Sequence, residues 1–514
     1  MEKYYGAILN QLRNALRNCS KKDVSQYRSR ILYRLNYVIH QIGSHYLKYG
    51  LKELKLAITD KRMEDIESYI NIVVSQSIYN GWSAEGLTEL LRFFTMNEIQ
   101  EKGFEEQWAA FCGKLINSRK SHFTVLINIP FRGQQKETLE KLLETLQRLG
   151  LNINSYEELC HMYLDIHDIG NLLNAEKRYF YVCEDAYDVY MAAHMAVVDI
   201  SEQLNMASFY NLVSAWDLSS VVIVAIDNNT KYHKSFTAEK LYQTYNYIDT
   251  SGRVFNNTQR IFADEERKTV REKLKGSFSY ANISRASFFQ EEKYMNLWVA
   301  LESLARTELY KDIISNVKET VPAAVCLRYV YRIVRNYVED CSRCGVSFAF
   351  SNRNIDMVQE SKQRMVCETI EVFQDAVLYR ELLEKSKVNT LLRFRTESIH
   401  VLLNNVTAMK EKLKNHYDRI SWQIQRLYRI RNEITHAALQ EQNLLIVYIE
   451  HLYDYLSTYI SEIVTCMIEN NLKNIEEALC LIKDNYDVFV AYADGNESDI
   501  LKNTILRTGI IDFI

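Results

Sequence analysis

The stretch RLYRIRNEITHAALQ, residues 426–440, gathers arginine, asparagine and histidine within a run that otherwise favours a helix. Asn432 and His436 are four residues apart and share one face of an α-helix. Arg431 and His436 are five apart and diverge by about 140°. One helix therefore aims Asn432 and His436 together but turns Arg431 away. If two copies of this surface met across a two-fold axis, the arginine of one copy could complete the histidine of the other.

These residue types suit the cleavage of a phosphodiester bond through a ribose 2′-hydroxyl. Histidine titrates near neutrality and can accept or donate a proton. Arginine can bind the phosphoryl oxygens in a bidentate manner, and Asn432 could hold the imidazole tautomer or a phosphate oxygen. The alternative is a surface arginine paired with Glu433 and a histidine bonded to backbone, because a spaced arginine and histidine alone are a weak signal.

The composition indicates long helices in a chain of several domains. Only 15 Gly and 2 Pro occur among 514 residues, which argues against a turn-rich all-β fold. The formal net charge of −4 gives no general attraction for polyanions, so nucleic acid would have to bind a local patch. Ten scattered cysteines, no signal-peptide core and no apolar run of membrane length predict a cytoplasmic protein with free thiols and no membrane contact.

The remaining pairs of candidate ligands are too sparse to predict a metal site. Cys341 and Cys344 have no second ligand pair nearby, and His161 and Asp165 share a helical face without a third ligand. No phosphate-binding glycine loop, G-x-S-x-G or H-E-x-x-H occurs in the sequence. We therefore expect no metal and no organic cofactor.

The apolar pattern predicts a mostly α fold with a small α/β layer. The expected regions are an N-terminal helical region at 1–115, a small α/β region at 116–262, a helical domain at 263–475 and a C-terminal helical extension at 476–514. Within the second region, strands are predicted at 123–129, 178–184 and 219–227, with a helix across 185–215 and a partly structured connection between halves at 227–262.

A long amphipathic helix is predicted directly after the polar cluster. Its apolar residues keep a spacing of three and four: Leu445, Tyr448, Ile449, Leu452, Tyr455, Leu456, Tyr459, Ile460, Ile463 and Met467. Such a helix must pack against others, so the cluster lies where a buried surface meets solvent.

Two segments resemble the HEPN superfamily, all-α domains that include many metal-independent ribonucleases. YRIRNEITHAA resembles its R-N-x-x-x-H motif, which lies there at the start of a late, long helix, and we expect the same here. SFSYANISRASFFQEEKYMNLWVALESLAR, at 277–306, resembles the opening helices of the ApeA-like HEPN group. Its core stripe would be Trp298, Leu301, Leu304 and Ala305. The resemblance covers residues 265–475, with extra helices expected at 310–415.

The resemblance implies a homodimeric, metal-independent endoribonuclease. Arg431 and His436 would be the catalytic pair, Asn432 the polar intermediary and Glu302 a carboxylate that orients Arg431. Cleavage would leave a 2′,3′-cyclic phosphate and a 5′-hydroxyl. Such enzymes often act as toxins or anti-phage defence effectors in abortive infection, with tRNA among their targets. The 116–262 region would then be a sensor or regulatory module that answers an antitoxin partner or a phage-derived trigger.

Further arginines are candidate RNA contacts. Arg426 and Arg429 precede the motif by one to two turns. In CLRYVYRIVRNY, Arg328, Arg332 and Arg335 recur at helical spacing close to tyrosines, as in a surface that combines phosphate contacts with stacking rings. An ordinary amphipathic helix has the same pattern, with an apolar face of Val330, Ile333, Val334 and Tyr337.

Three alternatives stay open at this point. The HEPN-like domain could be catalytically inactive and serve as a dimerisation or nucleotide-binding scaffold. Glu302 could form an i,i+4 ion pair with Arg306 on a solvated face instead of orienting Arg431. A different active site could lie in the N-terminal half near the three predicted strands.

Overall fold

The fold is known from a computed structural model of the chain. The described residues are 24–43, 45–92, 103–117, 119–128, 151–164, 169–175, 177–209, 221–237, 252–287, 289–351, 362–437 and 445–492, with isolated positions between 6 and 14, between 140 and 147, and at 94 and 355. The chain divides into two compact units, Met1–Tyr242 and Gln243–Ile514. The sequence predicted four regions, whereas the structure has two units. The boundary between the two units, after Tyr242, lies inside the connection predicted at 227–262.

Helices occupy the described part of residues 24–117, as the sequence predicts. They are α1 (Val24–Gly43), α2 (Tyr46–Thr59), α3 (Met63–Tyr79), α4 (Ala84–Arg92) and α5 (Phe104–Asn117). Their core includes Leu51, Trp82, Trp108 and Phe111. Burial of these large side chains supplies the driving force that holds the helices together.

An antiparallel sheet follows, with the strand order β2-β3-β1-β4-β5. The strands are β1 (Ser121–Ile127), β2 (Ile153–Ser155), β3 (Arg178–Ala186), β4 (Val222–Asp227) and β5 (His233–Thr237). In the register, Val125 of β1 lies opposite Val182 of β3 and Ala225 of β4. The three predicted strands are confirmed as β1, β3 and β4, whereas β2 and β5 were not predicted.

One long helix covers the sheet. The helices of this region are α6 (Tyr156–Met162), α7 (Ile169–Leu172) and α8 (Val189–Phe209), and α8 contacts β1, β3 and β4. Its inner face carries the fully buried Ala192, Ala193 and Ala196. Small side chains let the helix approach the strands closely, so α8 and the sheet form the predicted α/β layer.

Asp188, just before α8, ties the helical region to this layer. Its carboxylate accepts hydrogen bonds from the Ser83 hydroxyl at 2.7 Å and the Ser83 backbone N–H at 2.9 Å. It also accepts from the backbone N–H groups of Tyr190 and Met191 in the first turn of α8. An acceptor at a helix start satisfies donors that have no partner within the helix. This network joins region 1–115 to the part of region 116–262 that belongs to the first unit, which ends at Tyr242.

The second unit is helical, which confirms the mostly α fold class. Its helices are α9 (Arg253–Ala263), α10 (Lys268–Ala286), α11 (Gln290–Ala305), α12 (Ile313–Leu327), α13 (Tyr329–Arg343), α14 (Lys362–Gln374), α15 (Ala376–Lys385), α16 (Thr390–Asn404), α17 (Val406–Ala437), α18 (Leu445–Glu469) and α19 (Ile475–Tyr492). None of the described helices combines the length and apolar character needed to cross a lipid bilayer.

One apolar core runs through this unit, from Ile261 of α9 to Phe489 of α19. The predicted stripe of α11 is confirmed, because Trp298, Leu301, Leu304 and Ala305 are all fully buried. The predicted apolar face of α18 is also buried, with Tyr448 half-buried. The helices expected as extras at 310–415 and the extension after 475 belong to the same core.

Two ion pairs join α13 and its N-cap to α18. The Arg328 Nε donates to Glu462, whose side chain is only 5% exposed. Arg332 binds the Asp454 carboxylate through both terminal nitrogens, at 2.7 and 3.0 Å, and also donates to the Thr458 hydroxyl at 3.1 Å. Because a buried charge is stable only when it is paired, these arginines fix the position of α13 against α18.

His416, on the side of α17, is a buried histidine inside this polar region. Its ring stacks on Tyr329 with centroids 3.6 Å apart, and neither ring nitrogen has a hydrogen-bond partner among the described residues. Burial, together with the positive charges of Arg332, Arg419 and Lys412, lowers the pKa of His416 to about 3. The imidazole is therefore neutral in the folded protein, while the unfolded chain takes up a proton below its ordinary pKa of 6.5.

Replacing His416 with leucine should reduce the loss of stability in mild acid. Between pH 6.5 and 5 the unfolded chain binds a proton at this residue that the folded chain does not, so the free energy of unfolding falls as the pH falls. The expected contribution is about 1.5 kcal/mol over this window. Urea unfolding at pH 6.5 and pH 5 measures it. If the free energy of unfolding fell equally between pH 6.5 and pH 5 in His416→Leu and in the unmodified protein, the burial of a neutral imidazole would be contradicted.

Candidate functional site

The polar cluster lies at the end of a helix and not at the start of one. α17 runs for 32 residues without interruption and contains Arg431, Asn432 and His436 in its last two turns. The expectation that the motif begins a late, long helix is therefore wrong, although the long apolar helix α18 does follow it. No glycine or proline interrupts residues 406–437, so the helix continues through the polar residues.

Arg431 and His436 face different surroundings, as their spacing predicts. Arg431 is half-buried, and its Nη1 donates to the Asn432 Oδ1 at 3.1 Å. Its Nε is buried and has no hydrogen-bond acceptor among the described residues. His436 is exposed on the other side of the helix. Asn432 thus holds the arginine, while the imidazole is open to solvent and to a ligand.

Helix α11 anchors the segment that carries the cluster. The fully buried Tyr294 donates its hydroxyl to the Leu427 carbonyl at 2.5 Å, and the rings of Trp298 and Tyr428 lie 5.9 Å apart. Burial and the nearby Tyr448 and Glu433 raise the pKa of Tyr294, so the hydroxyl keeps the proton that it donates. The two segments that resemble HEPN are therefore in direct contact.

Met295 extends this contact into the motif itself. The Thr435 hydroxyl, which donates to the Arg431 carbonyl at 2.8 Å, lies 4.0 Å from the Met295 sulfur. Met295 thus lies at Thr435, whereas Trp298, one turn later on α11, lies at Tyr428, about two turns earlier on α17. Helix α11 therefore contacts α17 both before the motif and within it.

Glu302 is not brought to the arginine that it was expected to orient. It lies one turn after Trp298 on α11. Within the described part of the chain, Glu302 forms an ion pair with neither Arg431 nor Arg306. The orienting contact of Arg431 in this chain is the Asn432 side chain instead.

The other candidate arginines separate into two groups. Arg328 and Arg332 are already paired with carboxylates of α18, and Arg335 is half-buried with a buried Nε. These three lie on the helix whose apolar face, including Val330 and Val334, is buried, as the amphipathic alternative requires. Arg426 and Arg429 are exposed on α17 and remain accessible to a phosphate.

One residue near the motif was missed from the sequence. Trp422 lies on α17 and is 77% exposed, although a tryptophan in a long amphipathic helix is normally a core residue. The available signal is its spacing, because Trp422, Arg429 and His436 recur every seven residues. That period returns a side chain to nearly the same face of a helix.

The first unit contains a cavity of 590 Å³. Its described lining is Asn128, Asn171, Leu172, Leu173, Asn174, Ala175, Lys177, Tyr179, Val221 and Val222. The polar groups of these residues are three amides, the Lys177 amine and the Tyr179 hydroxyl, which accepts a hydrogen bond from the Asn174 backbone N–H at 2.6 Å. Such a set can bind a small polar molecule.

Comparison of the chain with protein-family models, curated proteins and solved structures gave no match. The functional interpretation therefore depends on the residues and their geometry, together with the resemblance of two segments to the HEPN superfamily.

Arg431→Met should leave the free energy of unfolding within about 0.5 kcal/mol of that of the unmodified protein. The Arg431 guanidinium makes one hydrogen bond, to Asn432, and its buried Nε has no acceptor among the described residues, so its removal loses little stabilisation. Arg328→Met is the matched comparison. It should cost about 3–5 kcal/mol, since it leaves the buried Glu462 carboxylate unpaired. Denaturant unfolding measures both variants. Equal losses would show that Arg431 holds the fold together, as Arg328 does.

Proposed function

We propose that the protein is a metal-independent endoribonuclease of the HEPN type that acts as a homodimer in the cytoplasm. The observation that carries this proposal is the direct contact between the two HEPN-like segments. Tyr294 and Leu427 are 133 residues apart in sequence and share a hydrogen bond. This contact packs the end of α17, which carries Arg431 and Asn432, against α11 of the other HEPN-like segment.

The chemistry assigns one task to each side chain. The exposed His436 accepts the proton of a ribose 2′-hydroxyl or returns one to the leaving 5′-oxygen. Arg431 compensates the charge that builds on the phosphoryl oxygens, and Asn432 holds the guanidinium in position. Products would carry a 2′,3′-cyclic phosphate and a 5′-hydroxyl. No step in this scheme requires a metal ion.

The dimer follows from the divergence of the two groups. Side chains separated by about 140° leave one helix in different directions, so a single α17 does not aim both groups at one phosphate. A two-fold contact between the ends of two α17 helices would place Arg431 of one copy beside His436 of the other.

The first unit is proposed as the regulatory module. It forms its own compact unit, and its polar cavity can accept a small ligand. A ribonuclease that acts on RNA of its own cell must be held inactive until it is needed, so a trigger or an antitoxin partner would act through this unit. tRNA is a candidate target of the activated enzyme.

Arg431→Ala and His436→Ala should each lower RNA cleavage by about 100-fold or more, the usual effect of removing a proton-transfer or charge-stabilising group. The assay incubates each full-length protein with total RNA in the presence of EDTA and maps the new 5′-hydroxyl ends. Arg393→Ala is the control, because Arg393 is an exposed arginine already paired with Glu397.

Expression of each variant in bacterial cells adds a readout in which cellular triggers are present. Growth arrest and RNA fragmentation should accompany the unmodified chain and Arg393→Ala, and should be absent from Arg431→Ala and His436→Ala. If all four proteins leave RNA equally intact in both assays, the scaffold alternative replaces the nuclease.

A further inference from the structure

The outer face of α17 carries an exposed aromatic ring in line with the candidate catalytic histidine. Trp422 is the most exposed large apolar side chain among the described residues, at 77%. Arg429 and His436 follow it at intervals of seven residues and are also exposed. On an α-helix these intervals leave the three side chains within about 40° of each other around the axis. Trp422 and His436 are about 21 Å apart along it.

Three arginines without an ion pair among the described residues lie around this ring, between the exposed carboxylates Asp418 and Glu433. Arg419, Arg426 and Arg429 are exposed, and none of them forms an ion pair with another described residue. The sequence RISWQIQRLYRIRN, from Arg419 to Asn432, contains no aspartate or glutamate. Among the described exposed arginines elsewhere in this unit, some are paired, such as Arg364 with Glu368, and others, such as Arg285 and Arg380, are not. The face therefore combines a bare ring with free guanidinium groups in a protein whose net charge is −4.

We propose that Trp422 is a stacking platform for an unpaired base of single-stranded RNA. Arg419, Arg426 and Arg429 contact the phosphates on either side of that base. This inference rests on the proposed function, because it places the RNA along α17 with its scissile bond at His436. The ring then selects for a flexible, unpaired nucleotide several positions from the cleavage site.

The chemistry of the face favours this ligand over a second copy of the chain. Aromatic rings flanked by arginines bind single strands because every base has a π-face and every nucleotide a phosphate. A two-fold contact centred on Trp422 would instead bring six arginines together. Asp418 and Glu433 are the exposed carboxylates that flank this face, and they supply two negative charges per copy against its three positive charges. Like charges brought together at an interface oppose association.

The test measures binding without cleavage. Full-length His436→Ala protein is titrated into fluorescein-labelled single-stranded RNA, and Kd is read from anisotropy. Adding Trp422→Ala should weaken binding about 5- to 150-fold, whereas adding Trp422→Phe should recover most of the affinity. Val401→Ala, which removes an exposed apolar side chain on α16, is the control and should leave Kd unchanged.

A second arm tests the base and the phosphates separately. RNA with a single abasic position should lose affinity for the His436→Ala protein but not for His436→Ala/Trp422→Ala. Each of Arg419→Ala, Arg426→Ala and Arg429→Ala should lower the slope of log Kd against log salt by about 0.7, the value for one phosphate contact on a single strand. Arg393→Ala should leave this slope unchanged.

The outcomes distinguish this inference from the proposed function. RNA cleavage by the unmodified protein, with the same Kd in Trp422→Ala and its parent, overturns the stacking platform alone. Trp422-dependent binding without cleavage supports the platform and removes the nuclease. Failure of the parent to bind RNA overturns both. Light scattering on each variant adds one outcome: if Trp422→Ala converts dimer to monomer, Trp422 is a contact between copies and the platform is overturned.

Discussion

Five residues of α-helix turn a side chain through about 140°, and this constraint decides what the end of α17 can do. Arg431 is turned toward the packed side of the helix, where Asn432 binds it, and His436 is turned toward solvent. The two groups have different surroundings for that reason. In the proposed reaction the two groups therefore come from two chains.

Contacts with α11 fix the position of the site. The Tyr294 hydroxyl fixes the Leu427 carbonyl, and Trp298 supports Tyr428 within a continuous apolar core. A reacting group gains precision when it projects from a well-packed helix. The packing of α17 against the core therefore fixes the position of Arg431. His436 remains exposed, as proton exchange and substrate access require.

The sequence predicted the helices and strands whose apolar periodicity is visible within a short stretch of the chain. The apolar face of α18, the core stripe of α11 and the β-branched strands β1, β3 and β4 are examples, because periodicity alone determines which side is buried. Strand β2 has only three residues, and β5, HKSFT, is mostly polar. Neither has enough apolar alternation to be recognised.

Features that depend on distant residues could not be predicted in the same way. Arg328 and Arg332 resembled a phosphate-binding stripe because their partners, Glu462 and Asp454, lie 134 and 122 residues later. The contact that orients Arg431 was assigned to Glu302, whereas the structure has it with Asn432, because tertiary packing decides which side chains of α11 face α17. The exposure of Trp422 was missed for the same reason, because the solvent exposure of a side chain depends on which other elements pack against it.

The central claim is that Arg431 and His436 of different chains act on one phosphodiester bond. The most direct measurement uses a heterodimer of an Arg431→Ala chain and a His436→Ala chain, purified through two different affinity tags. One of its two composite sites retains both groups, so the account predicts about half of the unmodified activity. A stable heterodimer as inactive as the two mutant homodimers would contradict the account.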